Sequence, residues 1–328
     1  MSSKNETLKL SKFLNKFLPF NFPNKLGLTG LIDRIAEASI PIRGLLEKGI
    51  TSREIHLRMN IEEPTEDTKN IYDEHQIHED ILTHSIILKS LKEGNTDYAF
   101  IASEEAPPTF GTGEFGVTID PVDGSSNVEV NRTVGTIVGI WTDKQIVCAL
   151  YILYGIFTNL ILAINGKVAE FILDTTPYSM TFYHYVFHDY YSTLPDPIEG
   201  SIRCMGGNPR YWSDKCKRYE QLLIDKQFKN RYSGSFVSDF YAITDNGGIY
   251  SYFLQNGKAK LRLYYEWLPI AFIAKTLGGE FIIIDKEDNV KTMMDVEPLT
   301  KENLKKIHTT TCGALIGSKS AVNLFLSL

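Results

Sequence analysis

The chain of 328 residues is 43% hydrophobic and 23% charged, ordinary globular proportions that exclude a disordered, collagenous or disulfide-scaffold protein. Its 34 Lys and Arg against 40 Asp and Glu give a formal net charge of -6, so no bulk field favours nucleic acid or an anionic membrane, and any phosphate must be met by local groups. The four cysteines are scattered and form no CxxC pair, and residues 1–20 hold no uninterrupted apolar run, so a reducing, cytoplasmic setting without a signal peptide is expected.

In chain order, Leu28, Leu31, Ile32, Ile35 and Ala36 recur at helical spacing and predict an amphipathic helix over residues 26–48, broken near Pro41. Residues 61–79 begin as polar loop, and a second helix is predicted over 77–91, with Ile81, Leu82, Ile86 and Leu88 inward. Strands follow at 98–102, 117–119 and 136–141, the last two enclosing a polar loop over 120–133. Between Lys144 and Lys167 there is no charge, which passes a membrane-span filter. Tyr154-Gly155 and Thr158-Asn159 interrupt the run, however, and its β-branched and aromatic flanks predict a buried hairpin over 146–153 and 160–164. Pro195 and Pro197 mark a boundary between halves 1–195 and 196–328. The second half alternates: helices at 211–224, 236–244 and 268–277, strands at 250–254, 261–264 and 281–284.

Gly111, Gly113 and Gly116 spell GxGxxG, yet a strand follows where a dinucleotide site needs a helix, so that reading is set aside. His184 and His188 have the spacing of two ligands on a helix face, but their segment is aromatic and lacks a zincin glutamate, which favours packing or surface roles. The informative cluster is Ser103-Glu104-Glu105, then the run DPVDGSS over 120–126, with Glu266 far downstream at the expected end of a strand. Carboxylates gathered at one sheet edge repel and need hard cations, which points to Mg²⁺, while Gly124, Ser125 and Ser126 offer backbone N–H donors for a phosphate. The bland reading is an acidic surface loop.

The run SEE…DPVDGSSN…VGTIVGIW resembles the class I fructose-1,6-bisphosphatase family, within the larger group that includes sedoheptulose bisphosphatases and inositol monophosphatases. A second block keeps the family's order: RYSGSFVSD over 231–239, GGIYSY over 247–252, KLRLYYE over 260–266, then Gly278-Gly279. The resemblance implies an α/β, layered sugar-phosphatase fold of two fused halves, the first binding metal and the 1-phosphate, the second the sugar and distal phosphate. It implies metal ligands at Glu104, Asp120, Asp123 and Glu266 with the Val122 carbonyl, and a water oriented and deprotonated by Asp80 and Glu105. Glu79 and Asp73 are alternatives to Asp80. Asp123, Gly124, Ser125 and Ser126 would cradle the 1-phosphate. Tyr232, Tyr252 and Lys260 would hold the distal phosphate, with Arg231 lent by a neighbouring subunit, and Gly234 and Ser235 would face the sugar.

The implied activity is hydrolysis of fructose 1,6-bisphosphate to fructose 6-phosphate in gluconeogenesis, with Mg²⁺ replaceable by Mn²⁺, in a dimeric or tetrameric homo-oligomer. Sedoheptulose-1,7-bisphosphatase is the alternative, and a silent sugar-phosphate sensor the alternative of another class. The chain departs from the family at 205–212, where MGGNPRYW replaces an Asn-Glu-Gly segment and removes a phosphate-binding side chain. It departs again where the AMP-inhibited branch carries Lys-Tyr and Arg, because Glu114, Phe115 and Thr142 stand there. Lys144 is the nearby basic residue that could take over.

Overall fold

The computed structural model describes residues 8–48, 78–94, 96–143, 145–175 and 183–328, and Asp73 and Lys144 lie outside them. Helices α1 (Leu10–Phe17), α2 (Lys25–Lys48) and α3 (His78–Glu93) lead into strands β1 (Tyr98–Ser103), β2 (Ala106–Phe110), β3 (Phe115–Asp123), β4 (Val134–Trp141), β5 (Ile146–Tyr154), β6 (Thr158–Ile164), β7 (Lys167–Asp174) and β8 (His184–Tyr191). These strands form one mixed sheet in the order β2-β1-β3-β4-β5-β6-β7-β8. The chain then crosses to β9 (Ile202–Gly206), α4 (Asp214–Asp225), β10 (Lys229–Asn230), α5 (Phe236–Asn246), β11 (Gly248–Tyr252), α6 (Leu268–Thr276), β12 (Glu280–Ile284), β13 (Val290–Thr292), α7 (Leu304–Ile307), β14 (Gly313–Gly317) and α8 (Lys319–Leu326). The second sheet runs β10-β9-β11-β14-β12-β13.

Three apolar clusters stack these elements into alternating layers. On the outer face of the first sheet, Leu28, Ile32 and Ile35 of α2 and Leu82 and Ile86 of α3 pack on Val117, Val138, Leu150 and Leu162. Between the sheets, Phe236, Phe240 and Ile243 of α5 and Ile270 and Ile273 of α6 pack on Ile137, Ala149 and Ile161 below and on Tyr250, Phe281 and Ile316 above. On the far face, Tyr219 and Leu223 of α4 and Val322 and Phe325 of α8 cover Ile249, Ile282 and Leu315. The order is helix, sheet, helix, sheet, helix. With both faces covered, β4, β5 and β6 are almost wholly buried, which is why they read as continuous apolar runs rather than alternating ones. The charge-free run is the predicted hairpin, with Tyr154 paired to Thr158 across its turn. No described helix is long and apolar enough to cross a membrane.

Three local readings need correction. Helix α2 runs unbroken through Pro41, because the burial of Leu28 to Leu45 along one face offsets the single backbone hydrogen bond that proline forfeits. His184 and His188, set aside above as metal ligands, lie half-buried and exposed, respectively, on a strand, β8, which pairs with β7. Residues 120–123 belong to β3, so the polar loop is shorter than expected. The strand expected at 261–264 is absent, since only Arg262 bridges Thr311 and a π-helical turn occupies Leu263–Trp267.

Candidate active site

The site forms where β3 ends beneath the start of α5. Against β4, Asp120 pairs with Ile137 but Asp123 with Gly135, so β3 carries an extra residue, a bulge. Plain alternation would send Asp120 and Asp123 to opposite faces, whereas the bulge re-aims them to one side. The π-helical turn adds Glu266. Asp120, Asp123 and Glu266 are each 5% exposed and bring a carboxylate oxygen apiece within 4.8 Å of one another. Glu266 thus arrives from a helical turn, not from the end of a strand, and its Oε2 accepts the Arg262 backbone N–H at 2.5 Å.

Each carboxylate is pinned. Asp120 Oδ1 accepts the Val122 N–H at 3.1 Å, which fixes the bulge. Asp123 receives the first turn of α5: Ser235 Oγ at 2.6 Å, Phe236 N at 3.0 Å and Val237 N at 2.9 Å. Those N–H groups have no helical partner, and the positive end of the helix dipole suits an anion. Gly124 adopts φ +78°, and a Cβ there would lie 2.7 Å from Ser235 Cβ, so a side chain at that position would push α5 off the loop. Ser125 and Ser126 then open a 3-10 turn, Ser125–Asn127.

Glu104 follows β1, pairs with the Arg262 guanidinium and donates its N–H to Ile119 O at 3.0 Å. Half-buried Glu105 donates its N–H to Ser103 Oγ, which also bonds His84 Nδ1 at 2.8 Å. Burial and then Lys92 lower the His84 pKa to about 4, so its ring is neutral at physiological pH. Asp80 is buried one helical turn before His84 on α3, which packs against β3, so α3 presents that face toward the end of β1.

Charge is crowded here. Burial, then Glu104, Glu266, Asp123 and Glu105, hold the Asp120 carboxyl well above the usual range. Burial, then Glu104, does the same to Glu266. Burial raises Asp123 too, against the opposing hydrogen bonds from α5 and the nearby Lys260 charge. Converging hard oxygen donors that resist ionisation together fit a divalent cation.

On the facing sheet, a Cβ added to Gly206 would touch the rings of both Tyr252 and Tyr232, and Lys260 Nζ lies 5.8 Å from the Tyr252 ring centroid. The three residues are therefore neighbours. Gly234 at φ +95° sits over Asn127, whose Nδ2 donates to Thr133 O and Ser233 O and so ties the loop to this segment. Arg231 is exposed and donates to its neighbour Asn230 O at 3.1 Å.

Two family models match the chain: "Fructose-1-6-bisphosphatase, N-terminal domain" over residues 64–185 and "Fructose-1-6-bisphosphatase, C-terminal domain" over 197–327. A class 1 fructose-1,6-bisphosphatase of Geobacter sulfurreducens is 33% identical over 70% of this chain and 74% of its own length. The chain belongs to the fructose-1,6-bisphosphatase family. The class 1 enzyme of Methanocorpusculum labreanum is 36% identical over about half of each chain, 51% of this one and 52% of the other. The fold agrees with the holo form of Leishmania major fructose-1,6-bisphosphatase at a TM-score of 0.79, over 98% of this chain and 99% of that one, at 22% identity.

Around the candidate site of this fructose-1,6-bisphosphatase family member, sequence reading missed three partners. Arg262 stands inside the quoted KLRLYYE, four residues before Glu266, and its pairing with Glu104 arises only in three dimensions. Asp239 accepts the Ser233 N–H through both oxygens, at 2.9 and 3.1 Å, which shapes the segment carrying Tyr232 and Gly234. The third is the His84–Ser103 contact. Trp141, by contrast, is a core residue that donates to Thr118 Oγ1 at 2.9 Å.

Proposed function

We propose that this chain is a Mg²⁺-dependent fructose-1,6-bisphosphatase that hydrolyses the 1-phosphate ester to fructose 6-phosphate and phosphate, a step of gluconeogenesis. The observation that carries the reading is the convergence of Asp120, Asp123 and Glu266 beside the Gly124–Ser125 turn, across from Tyr232, Tyr252 and Lys260. A bound Mg²⁺, or Mn²⁺ in its place, supplies the positive charge that lets the carboxylates ionise and that polarises the phosphoryl group.

Glu104, Asp120, Asp123, Glu266 and the Val122 carbonyl hold the metal. The backbone N–H groups over 123–126 cradle the 1-phosphate, as a short turn of unpaired donors does for anions. Asp80 and Glu105 orient the attacking water and accept its proton, a role suited to carboxylates at the edge of the cluster. The phosphorus–oxygen bond to the sugar breaks as the new one forms, and the leaving oxygen takes up a proton to become the C1 hydroxyl. Tyr232, Tyr252 and Lys260 grip the distal phosphate, and Gly234 and Ser235 bound the sugar. Arg231, exposed and with its guanidinium donating to the adjacent Asn230 carbonyl, joins from a neighbouring subunit of a homo-oligomer. Four free cysteines suit a cytoplasmic setting.

Parallel turnover of fructose 1,6-bisphosphate, sedoheptulose 1,7-bisphosphate and inositol 1-phosphate, with Mg²⁺ and after chelation, tests this. The expected result is preference for the fructose ester and loss of turnover on chelation. Preference for the sedoheptulose ester would replace the substrate, and binding without turnover of any would favour a sensor.

A further inference from the structure

The segment MGGNPRYW lacks the polar side chain expected at the distal phosphate, and its geometry shows what occupies the space instead. A Cβ on Gly206 would lie 2.4 Å from Tyr252 Cδ2 and 3.0 Å from Tyr232 Cε2. Gly207, at φ +90°, would meet Gln255 Nε2 at 2.9 Å. Two glycines therefore leave room into which half-buried Gln255 reaches from beyond β11.

The orientation of that amide is fixed by chemistry. Gln255 Oε1 accepts the Asn208 backbone N–H at 3.1 Å, and a backbone N–H can only donate, so the amide oxygen must face Asn208. Its NH₂ then faces Tyr252 Oη, at 3.3 Å. A phenol that receives a hydrogen bond on one lone pair turns its own proton elsewhere, and Lys260 marks the neighbouring direction as one where an anion is welcome.

We propose that Gln255 is a specificity-determining residue for the distal phosphate: its amide nitrogen holds Tyr252 with the phenolic proton aimed at that group and offers it a second N–H. The inference rests on the bisphosphatase reading above and extends it to the choice between bisphosphate and monophosphate esters.

Steady-state kinetics of Gln255→Leu and Gln255→Glu with fructose 1,6-bisphosphate and with fructose 1-phosphate, which has no distal phosphate, test it. The ratio of KM for the monophosphate to KM for the bisphosphate should collapse by about tenfold in Gln255→Leu, the worth of a hydrogen bond to a charged group. In Gln255→Glu it should fall further, since that variant keeps the Asn208 contact but sets a carboxylate against the phosphate. In both, kcat on the bisphosphate should change less than KM, because the distal contact is made in ground and transition states alike. Should Gln255→Leu fail to fold by its melting curve, the near-isosteric Gln255→Glu decides. A ratio unmoved, or KM values rising together for both esters, overturns the inference while leaving the activity standing. A wild-type protein inert toward both esters overturns the bisphosphatase reading and this inference with it.

Discussion

Asp120 is the residue on which folding and function pull hardest in opposite directions. It is buried among like charges, which costs stability in the metal-free protein, yet that same crowding suits it to the proposed role of cation ligand. Asp120→Asn should therefore lose several orders of magnitude in turnover while its metal-free form melts a few degrees higher at neutral pH, because an amide fills the same space without the cost of holding a proton that the unfolded chain has released. Activity assays paired with calorimetry under chelation check both signs, and a variant active within a few fold of wild type would mean the site lies elsewhere. At this scale much was legible in the sequence. The SEE and DPVDGSS runs are local, and their chemistry speaks before any folding. What stayed hidden were pairings made by tertiary approach: Arg262 with Glu104, Asp239 with Ser233, and the three bonds from α5 to Asp123.

The elements position those residues through their ends more than their faces. Helix α5 is the clearest case, since Ser235 caps it by accepting the Ser238 N–H at 3.3 Å and also donates to Asp123. Ser235→Ala removes both contacts, so it should cost about 1–2 kcal/mol in urea unfolding. It should also raise the Mg²⁺ concentration needed for half-maximal rate, because Asp123 loses one of its three donors. An unchanged Mg²⁺ requirement would reduce Ser235 to a cap. Periodicity revealed α3, α5, α6 and the β5–β6 hairpin, because each buries a regular apolar pattern. It failed at Leu263–Trp267, where a π-helical turn carries Glu266 and follows neither a helical nor a strand period, and at β8, where aromatic content masks a strand that pairs with β7 on one side and bridges Lys9 through Val186 on the other.

For the whole molecule, the buried carboxylates tie stability to pH and to metal. Burial raises Asp239 to about 7 against the pull of the Ser233 hydrogen bonds, and holds Asp120 and Glu266 well above their usual values. In the metal-free fold these groups keep protons that the unfolded chain has released, so their contribution to stability falls as pH rises from the ordinary carboxylate range toward 7. Neutral, buried His84 works the other way at low pH, but does so with or without metal. The Mg²⁺-induced rise in melting temperature isolates the proposed ligands from Asp239 and His84: it should widen steadily as pH is raised toward 8, since the ion displaces the protons of Asp120 and Glu266. A shift independent of pH would mean they are ionised in the metal-free protein.

Nucleotide inhibition is also tested at this scale, on the surface around Glu114 and Phe115. Between α2 and β1 lies a cleft of about 520 Å³ whose lining includes Asn24, Asp33, Glu37, Asp97 and a cation, Arg34, which is paired with Glu37 at 2.9 Å. Asn24 Nδ2 donates to Glu114 at 2.8 Å and to Asp97, and Phe115 is buried in the core. Burial, then Glu37, raises the Asp33 carboxyl to about 6 against the opposing charge of Arg34. Where the AMP-inhibited branch offers a lysine and a tyrosine, this chain offers an acid and a core phenylalanine. A nucleotide monophosphate brings close to two negative charges, so it would lose charge-assisted hydrogen bonds and meet several carboxylates instead. AMP titrated into a steady-state assay at fixed Mg²⁺ should leave the rate within about twofold, a change worth less than one such hydrogen bond. Strong inhibition at micromolar AMP, abolished by Lys144→Ala, would instead assign the nucleotide's phosphate to Lys144 and overturn the prediction.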